Sequence, residues 1–430
     1  MGTALELYAG NVSLSYSKNS IGEDFGALFQ EGDIAHRQQD QVDYDYYEAH
    51  PDERGDLLIA EEVFARKLMR IVPRLEMLGF TLQSARDEYE ALVAEAISLA
   101  NSDQETEGKA NYLSFNEFCK LASRYPLNSL KKEYIPDGTP EQEILRIGRF
   151  ASDIKQISLL PVSHDFSSYW SEASFFAHSL CILRPQSMLR IFAQNSQNAD
   201  VEIIWAFGPI VHAGWVQRDV FQPGAQKRER ILVATEGASD ARIIRRAIGA
   251  LRPEVADFFN FVEVNEKHHF WGAGNLVKFA EGLLRIEILN KVLFVFDNDA
   301  EGVDALRRIE KLQLPPNLQA MVLPSLDEFK KFATRGPDGT RISDINGRAA
   351  GIECYLDLRL DKRTEPQVTW NNYKKEIDAW QGVLDFKDEY SKHFYNQSDI
   401  VLQSGDYDTS KLAKLVDALI LQSAMIVQLL

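Results

Sequence analysis

The chain has 430 residues, 45% of them apolar, and a formal net charge of −17. That length accommodates about two to four domains with ordinary hydrophobic cores, and the acidic balance counts against indiscriminate gripping of phosphate backbones, which needs a basic surface. Cys119, Cys181 and Cys354 lie far apart with no CxxC spacing. This argues against a zinc ribbon or a disulfide framework and fits a reducing cytosol.

The first residues, MGTALELYAGNVS, carry no basic stretch followed by an apolar one, so no signal peptide is expected. Residues 1–57 read as an irregular or β-rich acidic segment. The tyrosines among the acids of QQDQVDYDYYEAHPDERGD predict partial order, since a disordered linker would lack them. Residues 58–135 read as a helical bundle. Leu58, Val63, Leu68, Ile71, Val72 and Leu75 fall near one face, with Pro73 as a kink or break. Thr81 suits the N-cap of a second helix, and Ser114 with Glu117 has the capping-box spacing of a third. Residues 136–228 read as a mixed α+β region. PEQEILRIGRFASDI is predicted helical, and SMLRIFAQ and VEIIWAFGPIVHAGW are predicted strands. His164, His178 and His212 have no metal-like spacing and read as structural histidines.

Residues 229–360 change rhythm. Strands are predicted at Ile231–Thr235, Phe259–Val264, Lys291–Phe296 and Ala320–Leu323. Helices are predicted between them at Asp240–Leu251, Asn275–Leu284 and Glu301–Leu312. Such alternation implies a parallel, Rossmann-like α/β sheet covered on both faces, with ligands at the carboxyl ends of the strands. Arg335–Gly339, rich in glycine, proline and aspartate, is predicted to be a loop. Residues 361–430 read as a C-terminal helical extension. Its end, LVDALILQSAMIVQLL, is interrupted by Asp417, Gln422, Ser423 and Gln428 and is short for a span. A buried or oligomerising helix, not a membrane helix, is the expectation.

Two strand-ends carry the chemistry. Glu236 follows the first strand with Asp240 just beyond it, and Asp297-Asn298-Asp299 follows the third. Carboxylates held together stay ionised only around a cation, and hard oxygen ligands suit Mg²⁺ or Mn²⁺. Asp297 and Asp299 would hold one ion, with Glu236 as a further ligand or as a base. Asp240 and Glu353 are candidates for a second ion, although Asp240 also suits a helix N-cap and Glu353 a surface position. Gly272 and Gly274 open a helix where backbone N–H groups could approach a phosphate. Arg242, Arg245, Arg246, Arg252 and the run Gln226–Arg230 put positive charge nearby, and His268 and His269 could contact nucleic acid.

The conjunction TEG-x-SD and FDND in this alternation resembles the Toprim domain of topoisomerases, bacterial primases, OLD-family nucleases and RecR-type proteins. The resemblance covers about Arg230–Leu360. It implies that Glu236, Asp297 and Asp299 form the metal site. The Glu236–Asp240 spacing is similar to that of two-metal OLD-type nucleases, which also use a lysine beyond the core, here matched to Lys387 in WQGVLDFKDEY. The acidic DYDYYEAHPDERGD segment looks like the N-terminal domain that precedes Toprim or HEPN modules in bacterial defence proteins. No zinc module, Walker A sequence or HEPN-type Arg-x₄₋₆-His spacing occurs. The implied function is a metal-dependent nuclease of antiphage defence, cytoplasmic and acting on DNA or RNA. A sensor or ATPase would come from a partner, and a homo-oligomer is expected. A RecR-like binding module and a haloacid-dehalogenase-type phosphatase are the alternatives.

Overall fold

The computed structural model describes residues 2–102, 111–162, 169–262, 272–337, 339–360, 365–375 and 377–428. His164, His268 and His269 lie outside the described residues. The chain divides into two units, Met1–Ala225 and Gln226–Leu430.

The first unit runs β1 (Ala4–Ala9), β2 (Val12–Lys18), β3 (Ile34–His36), α1 (Tyr44–Ala49), α2 (Arg54–Ala60), β4 (Glu62–Lys67), α3 (Leu68–Met77), α4 (Leu82–Ser102) and α5 (Phe115–Ala122). It continues with α6 (Pro140–Ile147), α7 (Ile154–Ile157), α8 (Glu172–Leu180), α9 (Pro185–Phe192), β5 (Glu202–Ala206) and α10 (Gly208–His212). The five strands make one sheet in the order β2-β1-β5-β4-β3, antiparallel throughout. Its strands come from segments 1–57, 58–135 and 136–228 alike, so these segments share one core around Phe25, Phe64, Trp205 and Phe221.

Three expectations need correction. Val63 lies in strand β4, not in a helix, because EVFARK pairs with β3 and β5 and tertiary pairing overrides its helical spacing. SMLRIFAQ is not a strand. Pro185 opens helix α9 in its first turn, which buries Met188, Leu189, Ile191 and Phe192. VEIIWAFGPIVHAGW is a strand only to Ala206, and α10 follows with Pro209 in its first turn. Pro73 sits inside α3 without ending it, whereas Ser114 and Glu117 form the expected capping box.

The second unit runs β6 (Ile231–Thr235), α11 (Ala238–Leu251), β7 (Phe259–Phe261), α12 (Ala273–Arg285), β8 (Lys291–Phe296), β9 (Asn298–Asp299), α13 (Ala300–Glu310) and β10 (Leu318–Val322). It continues with β11 (Phe332–Gly336), β12 (Gly339–Ser343), β13 (Ala349–Ala350), β14 (Gln367–Lys374), β15 (Ala379–Leu384), α14 (Lys387–Tyr395), α15 (Asp399–Ser404) and α16 (Ser410–Gln428). The first sheet, β10-β8-β6-β7, is wholly parallel. Its central strand is a continuous buried run, Val292–Phe296, as a sheet covered on both faces requires. Helices α12 and α13 pack on one face through Leu276, Val277, Ala280, Ala305 and Ile309. On the other, α11 packs on β6 and is backed by α15 and α16.

The extension is not purely helical. Residues 367–384 supply β14 and β15 to a second sheet, β12-β11-β14-β15. Helix α16 buries Leu412, Leu415, Val416, Leu419 and Ile426. No helix among the described residues is long and apolar enough to cross a membrane.

Candidate active site

Strands β6 and β8 are neighbours in the parallel sheet, while the second strand in sequence, β7, lies outside β6, and the fourth, β10, outside β8. The strand order therefore reverses between β6 and β8. A crevice opens at such a switch point, at the carboxyl ends of the two strands. Glu236 and Asp297 are the residues that follow those ends.

The backbone fixes each acid. Asp297 donates its N–H to Glu236 Oε1 at 3.0 Å and accepts the Ile352 N–H on Oδ1 at 2.9 Å. Asp299 is the N-cap of α13 and accepts the Gly302 N–H on Oδ1 at 2.8 Å. Its Oδ2 accepts from Gln381 Nε2 at 2.5 Å, and the same amide's Oε1 accepts from Glu301 N at 3.2 Å. Asp240 is not the N-cap of α11. The helix begins at Ala238, and Asp240 reaches back to the Gly237 N–H at 2.9 Å while accepting from Ser239 Oγ at 3.0 Å. Glu353 arrives because β13 pairs with β9, which sets Ala350 against Asn298 and the following 3-10 turn Ile352–Tyr355 beside Asp297. These five carboxylates, scattered over 118 positions of sequence, form one largely buried group within electrostatic reach of one another.

Their electrostatics are mutually unfavourable. Burial and the Asp299 charge push the Glu236 carboxyl up to about 8, against the pull of the Asp297 N–H. Burial and Glu353 push Asp240 up to about 6, while Ser239, the Gly237 N–H and Lys387 pull it down. Burial, then Asp240, Glu236, Asp299 and Glu353, raise Asp297 well above the ordinary carboxylate range. Asp299 is raised by burial against its hydrogen bonds from Gly302 and Gln381. Such a group of acids is relieved either by protons or by a cation.

The residues present fit a divalent ion in two respects. Glu236 Oε2, Asp297 Oδ2 and both Glu353 oxygens accept no hydrogen bond among the described residues. A Cβ built on Gly351 would stand 3.4 Å from Asp297 Oδ2 and 3.6 Å from Glu353 Oε2, so the glycine leaves an open space between two carboxylates. In a third respect the site is not closed. Among the described residues no three acid, imidazole or thiol groups already stand around one point as a ligand set would. Gly351→Ala tests the space. Its φ of −67° suits alanine and no atom clashes, so the variant should fold with an unchanged melting temperature and lose any stabilisation by Mn²⁺. Equal Mn²⁺ stabilisation in variant and wild type would place the ion elsewhere.

The remaining candidates separate. Lys387 opens α14 on the exposed surface and acts electrostatically on Asp240, which places it at the cleft. It follows Phe386, held at φ 59°, a left-handed conformation that is rare for an aromatic residue. Arg242 is exposed on α11. Arg246 turns away, donating to the carbonyls of Tyr395 and Gln397 with its guanidinium over the Phe394 ring. Gly272 is the N-cap of α12 at φ +83°, and its N–H is taken by the Glu236 carbonyl at 3.0 Å, so it has no hydrogen left for a phosphate. A side chain at Gly274 would meet open space. Gln381, which bonds Asp299, is at the site without any signal in its sequence spacing. It arrives on β15, far along the chain.

Fold and site together define a mixed α/β protein with a parallel sheet and a group of carboxylates at its strand switch point. The chain belongs to the HEPN/Toprim N-terminal domain 1 family, whose family model matches residues 1–229, more than half of its length. No curated protein and no solved structure matches the chain. The match ends before Glu236, so the acid-bearing cleft stands on its own geometry.

Proposed function

We propose that the second unit is a Toprim-type site of OLD-like kind that cleaves nucleic-acid phosphodiester bonds with Mg²⁺ or Mn²⁺, as an effector of bacterial antiphage defence. The observation that carries this reading is the convergence of Glu236, Asp297 and Asp299 at the switch point between β6 and β8, with Asp240 and Glu353 beside them. The family of the first unit supports it, since that domain is associated by its description with HEPN and Toprim modules.

Asp297 and Asp299 would hold one ion, and Asp240 with Glu353 a second. Bound there, such ions would neutralise developing phosphate charge and lower the pKa of water. Glu236, whose carboxyl is raised by burial and the Asp299 charge as long as no cation neutralises the acids, would be released from its proton by the bound ions and would serve as a further ligand or as the base for an attacking water. Lys387 and Arg242 supply positive charge on the Asp240 side, where phosphate oxygens would lie. The substrate would be DNA or RNA, in the cytoplasm. A sensor or ATPase partner and self-association, through the acidic N-terminal region and α16, would provide control.

The test is cleavage of a DNA and RNA panel with Mn²⁺ by the wild type, Glu236→Gln and Asp297→Asn. Both variants keep the acceptors for their backbone N–H partners, so they should fold, and their cleavage should fall to background. Undiminished cutting by both sinks the reading. A RecR-like binding module is the second reading, favoured by the absence of a ready ligand set among the described residues. It predicts nucleic-acid binding that neither variant weakens and no cleavage.

A further inference from the structure

The hairpin of β14 and β15 reaches the acids from another sheet. Gln381 of β15 donates from Nε2 to Asp299 Oδ2 at 2.5 Å, and its Oε1 accepts the Glu301 N–H at 3.2 Å. Lys374 of β14 pairs with Glu301 at 2.8 Å. On each strand the neighbouring residue is aromatic. Tyr373 and Trp380 stand opposite each other in the strand register, with ring centroids 5.6 Å apart and ring planes at 66°. Side chains alternate along a strand, so the residues that tie the hairpin to the start of α13 leave the aromatic pair on its other side.

Both rings are open to a ligand. Tyr373 is 42% exposed and Trp380 43%. The Tyr373 hydroxyl donates to Asp378 Oδ1, which fixes that ring. The same hairpin holds a contrasting tryptophan. A Cβ at Gly336 would stand 3.2 Å from the Trp370 ring, and one at Gly382 2.8 Å from it. Trp370 is thus fitted over two glycines, whereas nearly half of Trp380 stays in water. A cross-strand aromatic pair helps to hold a hairpin together. An edge-on contact, however, covers at most one face of one ring and leaves broad ring surface uncovered.

The charge of the chain decides what such a surface can take. At a net charge of −17, with the acids beside the hairpin, phosphate contacts alone are a poor source of affinity for a nucleic acid. Stacking on an aromatic ring does not depend on charge, and every base has a face to offer. It requires bases that are free of a duplex stack. We infer that Tyr373 and Trp380 form a stacking surface for unpaired bases, so that the nucleic acid brought to the acids is single-stranded or locally unpaired. This deepens the phosphodiesterase reading by naming the form of its substrate, and rests on that reading only for what happens to the strand once bound. A strand with a phosphate at Asp299 carries a neighbouring base past Trp380, which is one residue from Gln381. DNA and RNA offer the same base faces, so both serve.

The experiment uses the full chain carrying Glu236→Gln, so that a bound strand stays intact, in the presence of Mn²⁺. Affinity for a labelled single-stranded DNA, a single-stranded RNA and the corresponding duplex is measured by fluorescence anisotropy, with and without Trp380→Leu or Trp380→Phe. Trp380→Leu should weaken both single strands about 5- to 150-fold, the range for losing one stacked base, and leave duplex binding unchanged. Trp380→Phe should keep most of the affinity. The salt dependence of single-strand binding should keep its slope, because no phosphate contact is lost. Duplex binding serves as the control for the fold. A loss shared equally by single strand and duplex, single-strand binding indifferent to Trp380→Leu, or no single-strand binding by the parent protein overturns the inference. A Trp380→Phe protein as weak as Trp380→Leu also overturns it. Cleavage by the protein with Glu236 intact is scored separately. Stacking-dependent binding without cleavage leaves the inference standing and removes the nuclease reading, whereas cleavage with binding indifferent to Trp380 does the reverse.

Discussion

Metal-free protein should melt at a higher temperature at pH 6 than at pH 8, and Mg²⁺ or Mn²⁺ should stabilise it far more at pH 8 than at pH 6. The sign follows from the raised carboxyls. Glu236 titrates near 8 and Asp240 near 6 in the fold, whereas the unfolded chain titrates such groups near their ordinary values of roughly 4. Between those limits the folded state binds protons that the unfolded state does not, so stability falls as pH rises through that window. A cation supplies the neutralising charge instead of the protons. At one hundred times its Kd a ligand adds about 2.7 kcal/mol, which for a unit of about 200 residues amounts to roughly 5–11 °C. Scanning calorimetry across pH, with and without metal, reads both effects. In Glu236→Gln the pH slope should flatten and the metal gain should shrink. A pH-independent melting temperature together with no response to either ion would remove the metal site from the account.

Gly302→Ala should be among the most damaging single-methyl additions in the second unit. A Cβ there would stand 2.1 Å from the Asp297 carbonyl oxygen, and 3.1 and 3.2 Å from the Asp297 carbonyl carbon and nitrogen. All three are backbone atoms, so no side chain can move aside. The start of α13 would have to shift from the end of β8, which is the junction that sets Asp297 and Asp299. Overpacking of this kind costs about 1–3 kcal/mol. The Gly302 N–H bond to Asp299 would be strained as well. The expected outcome is a clear fall in melting temperature with loss of Mn²⁺ stabilisation, in contrast to Gly351→Ala, which should lose only the second. An unperturbed Gly302→Ala protein would mean that β8 and α13 are joined less tightly than the geometry implies.

The acid-bearing sheet was legible because its strands are buried on both faces. Val292–Phe296 has no alternation to misread, and glycine and acidic turn residues mark the ends of β6 and β8. Strand pairing at long range was not legible. Glu62–Lys67 has a helix-compatible spacing and becomes a strand only because β5, some 135 residues later, pairs with it. The same holds at the site. Glu236, Asp297 and Asp299 announce themselves by following strands, but Gln381 is carried to Asp299 by a strand of another sheet. Lys387 comes with α14, which packs on the turn holding Glu353. In α9, Pro185 was a usable start signal, and its position in the first turn turns an apparent strand into a helix.

The boundary between the two units has a consequence for descent. The packing boundary falls at Ala225/Gln226, and the family model ends at residue 229, so the limit set by physical contacts and the limit set by shared ancestry nearly coincide. A segment bounded in this way can be inherited as a block, joined to different downstream partners without redesign of its own core. The residues of each unit should be compared with their own relatives, cut at this junction.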